Sequence, residues 1–170
     1  MVLMNNRKKM SRVVFSSILC AISIIIRISV EFLDGNPFFT IPFYAIPLVI
    51  ASVLYGPLFG LVCGFIVDSI SAYIIGYDYV FFAALVPICW GVMSGLFVHI
   101  RKKISFKWLL LGIFVAHIMA TYINSFVMLV MFNVPLNTVL VRLIFIPSNI
   151  VIIAIISYHI LRGLEKNEIY

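Results

Sequence analysis

Six apolar runs, each closed by a short polar or turn-forming stretch, organise the chain. The first, about 13–32, is interrupted only by Ser16, Ser17, Ser23, Arg27, Ser29 and Glu31, and stops at the turn-forming Asp34-Gly35-Asn36-Pro37. The second, about 40–55, holds Pro42 and Pro47, so its helix is expected to be broken or partly re-entrant; Tyr55-Gly56-Pro57 closes it with a tight turn. Run three, about 58–75, carries Gly60 and Gly64, a GxxxG spacing that lets helix backbones approach closely in lipid. The loop Gly76-Tyr77-Asp78-Tyr79 leads into run four, about 80–100, with Pro87, Gly91 and Gly95. Run five covers about 108–132, and Asn133-Val134-Pro135-Leu136-Asn137 turns the chain into run six, about 138–161, which holds Arg142, Pro147 and Asn149. An α-helix needs ~20 apolar residues to cross ~30 Å of hydrocarbon. The pattern therefore predicts an all-α, polytopic membrane protein with six transmembrane helices. Neither a repeat nor a linker divides it, so 1–170 reads as a single six-helix membrane domain with a basic segment at 1–12 and a polar tail at 162–170.

Composition agrees with lipid as the solvent. Hydrophobic residues make up 64% of the 170 and charged ones 11%, with a mean hydropathy of +1.20; a soluble domain carries roughly 45–50% and about 25%. No length remains for a soluble catalytic domain. The net charge of +6 is gathered at the ends of runs. Arg7, Lys8, Lys9 and Arg12 precede the first, Arg101, Lys102, Lys103 and Lys107 separate the fourth from the fifth, and Arg162 and Lys166 follow the last. All fall on one side of a six-span arrangement, so the positive-inside bias puts both termini in the cytoplasm. A nucleic-acid footprint needs a solvated basic face instead, and no nucleic-acid partner is expected. Cys20, Cys63 and Cys89 lie within apolar runs without disulfide or metal spacing, and His99, His117 and His159 share no spacing with one another or with a carboxylate. Neither a metal nor a cofactor is expected. Leu19 precedes Cys20 where a lipoprotein signal wants a small residue, so the first run reads as a retained helix.

The sequence contains no GxxxxGK[ST], HExxH, GxSxG or GxGxxG, which argues against an enzyme and leaves any ATP-driven step to another chain. Its candidate chemistry lies inside the spans. Arg27 stands ~21 Å above the inner start of the first helix and Arg142 about one turn below the outer end of the sixth. A cation at the bilayer centre costs ~2.5–3.5 kcal/mol, so each is expected to face a cavity or an anion. For Arg27 the alternatives are a ligand, Glu31 or Asp68; for Arg142, a ligand or the lipid headgroups. Asp68, near mid-membrane, is expected to bond a ligand, pair with Arg27 or carry a proton. Phe38, Phe39, Phe43, Tyr44, Tyr73, Tyr77, Tyr79, Phe81 and Phe82 crowd the outer side, as an interfacial belt or as a pocket for a flat heteroaromatic ring. Asn124 and Asn149 add polar groups that bond either a ligand or a neighbouring helix. On the first helix Ser17 and Ala21 form a small-xxx-small pair, suited to internal packing or to docking a partner helix.

The stretch Phe43-Tyr44-Ala45-Ile46-Pro47 leads to Leu54-Tyr55-Gly56-Pro57-Leu58-Phe59-Gly60 and then to Gly64-Phe65-Ile66-Val67-Asp68, a YGPxxG segment followed by GxxxD. Together with Arg27, the aromatic loop 76–82 ahead of Gly91 and Gly95, and Arg142 with Pro147, it resembles the substrate-binding S component of an energy-coupling factor (ECF) vitamin transporter. The likeness runs over about 17–147 and is nearest to the folate-specific kind, although Asp78 and Val80 stand where glycine and proline are frequent. The resemblance implies a six-helix protein of the bacterial plasma membrane that captures a vitamin from outside. It also implies a transmembrane coupling subunit and two ATPases as partners, and toppling in the membrane to deliver the ligand. In the family a small-xxx-small motif on helix one meets the coupling subunit, which would put Ser17 and Ala21 there, with serine where alanine is common. The expected ligand contacts are Arg27, Phe39, Phe43, Tyr44, Asp68, Tyr77, Tyr79, Phe81, Asn124, Arg142 and Asn149, aromatic stacking holding a pterin and Arg27 and Arg142 adding cationic contacts. The competing readings are another vitamin, pantothenate or thiamine, the basic pair disfavouring cationic thiamine, and a stand-alone secondary transporter, which wants more membrane acids than Asp68.

Overall fold

A computed structural model describes residues 2–34, 41–76, 79–101 and 104–166. The described residues form α1 (Val2–Asp34), α2 (Ala45–Tyr55), α3 (Pro57–Ile75), α4 (Phe81–Arg101), α5 (Phe106–Val130), α6 (Leu136–Ile144) and α7 (Ile146–Lys166). Five segments, Met10–Phe32, Pro57–Ile75, Phe81–Ile100, Phe106–Val130 and Ile146–Lys166, are long and apolar enough to cross a membrane. Their outward faces are apolar: Ile25, Leu58, Tyr122 and Val130 are all exposed. A surface of this kind is stable against lipid and not against water.

The second run forms a helix shorter than a full span, in keeping with its two prolines. With 11 residues, α2 is only ~16 Å long, about half the hydrocarbon layer. Pro42 precedes a short turn, and the helix starts only at Ala45; Pro47 then falls in the first turn, where backbone N–H groups have no helical partner to lose. Every residue from Ala45 to Val53 is buried. This helix packs against α1, α3, α4 and α7, so protein surrounds it and it forms the centre of the core.

Gly56 ends α2 with a φ of 109°, a backbone conformation open to glycine, and Pro57 begins α3 at a position suited to its fixed φ. The GxxxG spacing then meets α4. A Cβ on Gly60 would run into the Gly91 backbone, and one on Gly64 would lie 2.7 Å from the Pro87 carbonyl oxygen. Backbone thus packs on backbone at the α3–α4 crossing.

The sixth run is not one helix, as its apolar pattern predicts, but two. Pro147 lacks the N–H that would bond the Leu143 carbonyl, and its ring crowds that carbonyl. The chain therefore stops at Ile144 and restarts at Ile146, placing Pro147 in the new first turn.

Candidate ligand-binding cavity

The C-terminal parts of α1, α3 and α5 and the N-terminal parts of α2, α4 and α7 converge at one end of the bundle. Together with α6 they enclose a cavity of about 430 Å³. The volume lies in the roughly 300–1,000 Å³ range of small-molecule sites. Arg27, Tyr44, Asp68, Asn124, Arg142 and Asn149 line it, six of the expected ligand contacts, five from five different helices and Tyr44 from the turn ahead of α2. Phe43, Tyr79 and Phe81 are exposed and lie outside the lining. Phe39 and Tyr77 fall outside the described residues.

Local sequence explains the convergence. The hydroxyl of Ser23, fully buried on α1, donates to the Tyr44 carbonyl at 2.6 Å and ties the start of α2 to α1. One turn further, Arg27 Nη1 donates to Asp68 Oδ1 at 2.7 Å, and its guanidinium lies 5.5 Å from the centre of the Tyr44 ring. Asp68 is only 2% exposed and Arg27 24%. Of the alternatives open for Arg27, the structure realises the pairing with Asp68. Arg142 reaches back from α6 to donate to Met128 Sδ on α5 at 2.7 Å.

The charges lining the cavity are mixed. Arg27 and Arg142 are joined there by Glu31 and Asp68. This corrects the expectation of a basic pair that selects an anion by charge alone, because Asp68 already answers Arg27 at contact distance. Arg142, the second guanidinium of the lining, bonds Met128 instead.

Several lining groups escaped the sequence reading. Trp90, buried on α4, packs against His117 of α5 with ring centroids 5.1 Å apart. Thr121 lies one helical turn beyond His117, and Asn124 follows. The spacing 117, 121, 124 puts the three on one helix face and was available as a signal. Trp90 lies ~13 Å along α4 from its start at Phe81, so Trp90 and His117 form the cavity floor, while Glu31, near the end of α1, and Arg142, which bonds Met128 near the end of α5, stand near its mouth. Below the floor Ile113, Ala116 and Ile153 are completely buried.

Ser17 and Ala21 face away from the cavity on the exposed side of α1. The Ser17 hydroxyl is turned onto the Val13 carbonyl at 2.9 Å, leaving the face small and without an outward polar group at that position.

An apolar helical bundle with a mixed-charge cavity at one end defines a multi-pass membrane protein able to receive a small polar molecule. The chain matches the family described as ECF transporter, substrate-specific component, over residues 11–162, and it belongs to that family. This family is a transporter component and not an enzyme family; membership brings a small-molecule substrate and the ECF module as partner. No individually curated protein matches the chain in sequence.

Proposed function

We propose that the cavity is the vitamin site of this S component and that its vitamin is folate. The observation that supports this best is the pairing of opposite chemistries along one axis. Tyr44 offers aromatic surface, His117 and the two asparagines offer hydrogen bonds, and Arg142 stands at the mouth. Folate has the matching order: a flat fused heterocycle with a hydrogen-bonding edge, then a benzoyl bridge, then a glutamate tail. The heterocycle enters first and a tail carboxylate meets Arg142. Pantothenate has no ring for the aromatic groups, and the thiazolium of thiamine has no use for Arg142.

On this reading 1–170 acts as a single membrane domain of the bacterial plasma membrane. The cavity opens to the exterior, and both termini, with the basic segments at 1–12 and 101–107, lie in the cytoplasm. A transmembrane coupling subunit docks on the Ser17–Ala21 face, and two ATPases complete the importer. Calorimetric titration of the purified chain with folic acid, pantothenate and thiamine tests the ligand. Folic acid is expected to bind one to one and at least a hundredfold more tightly than the others. Tighter binding of either other vitamin overturns the folate assignment.

A further inference from the structure

His117 has one ring nitrogen in use and one idle. Nδ1 lies 3.1 Å from Thr121 Oγ1, one turn on along α5. The residue is only 7% exposed, and its buried Nε2 has no hydrogen-bond partner. Buried polar atoms are nearly always satisfied, so an idle one at the edge of a void points to a missing partner. His117 lines the cavity beside Trp90, which is itself 1% exposed and fixes one side of the imidazole. Thr121 fixes the ring's rotation from another. The imidazole is therefore held in place before any ligand arrives.

We infer that His117 is a specificity-determining contact at the cavity floor: its Nε2 hydrogen-bonds the edge of a flat nitrogen heterocycle. This rests on reading the cavity as the vitamin site and adds to it which end of the vitamin lies deepest and which side chain reads it. The discrimination follows from the asymmetry of buried hydrogen bonds. A ligand that supplies the partner relieves the idle nitrogen, whereas one that presents only carbon leaves it buried and unsatisfied.

Three probes separate the ends of the ligand: folic acid, pteroic acid, which lacks the glutamate, and p-aminobenzoylglutamate, which lacks the ring. In calorimetric titrations of the purified chain, His117→Phe is expected to weaken folic and pteroic acid by at least tenfold and by the same factor. Its effect on p-aminobenzoylglutamate is expected to be less than twofold. His117→Gln, which keeps a hydrogen-bonding end, recovers part of the loss; a bystander role in packing gives no such recovery. His117→Ala adds no bulk and replaces His117→Phe should the latter fail to fold. Wild-type affinity for both ring-bearing probes in the Phe or Ala variant overturns the inference and leaves Nε2 with solvent only. If folic acid does not bind the wild-type chain, the vitamin assignment falls separately. The same variants are then titrated with the small molecule that co-purifies, and a loss restored by Gln supports the contact while no loss overturns it.

Discussion

Arg27 and Asp68 stabilise each other in a way that makes single substitutions misleading. Their contact is 2.7 Å and Asp68 is 2% exposed, so deleting the arginine strands a carboxylate that water hardly reaches. Breaking one side of a buried pair typically costs ~3–5 kcal/mol, far more than the intact pair contributes. Arg27→Ala is accordingly expected to lower unfolding stability in detergent by about that amount, and Arg27→Ala with Asp68→Ala to recover most of it. The double variant is the one in which to measure ligand affinity. A loss of at least tenfold there, with stability restored, assigns Arg27 or Asp68 a direct part in binding. Arg142 bonds Met128 Sδ at 2.7 Å, and two probes that differ only in the glutamate test its part in binding. Arg142→Gln is expected to weaken folic acid at least tenfold and pteroic acid by less, because the second probe has no glutamate to lose.

Among the elements, the α3–α4 crossing tolerates least. Gly60→Leu must push a side chain into the Gly91 backbone, which cannot move aside as a flexible side chain does. Its expected result is loss of the folded protein, seen as aggregation on size-exclusion chromatography, whereas Gly163→Leu, whose Cβ would meet no other part of the described fold within 4 Å, leaves the elution unchanged. The sequence revealed this crossing because GxxxG states a backbone requirement directly. It revealed Arg27, Asp68 and Arg142 for a similar reason, since charge inside an apolar run demands a partner. The aromatics were less readable. Phe43 is the chain neighbour of Tyr44, yet it and Tyr79 are exposed outside the lining, and composition alone does not distinguish a ring that meets lipid from one that faces a cavity. His117 and Trp90 were hidden for the opposite reason: each looks like ordinary core in an apolar run, and only the fold brings them together. The break at Phe145 lay beneath an apolar pattern that continues through it, and Pro147 was its local sign.

At the scale of the molecule, α2 decides how the chain is counted. A hydropathy tally finds five crossing helices and sends the two ends of the chain to opposite faces. Counting the buried α2 as a sixth pass returns them to the same face. Reporter fusions at residues 1 and 170 are expected to agree with the second count, both reading cytoplasmic; opposite readings would overturn the proposed orientation. The same central packing seals the way below the floor, where Ile113, Ala116 and Ile153 have no exposed surface. Vesicles holding this chain alone are therefore expected to retain about one folic acid per exposed chain and to accumulate none in their lumen, whereas sustained uptake would favour a stand-alone transporter. A cup with a solid base can be emptied only over its rim. On the proposed reading, cargo held there reaches the far side of the bilayer only if that rim is itself carried across, and the partner to move it is the ECF module that family membership brings.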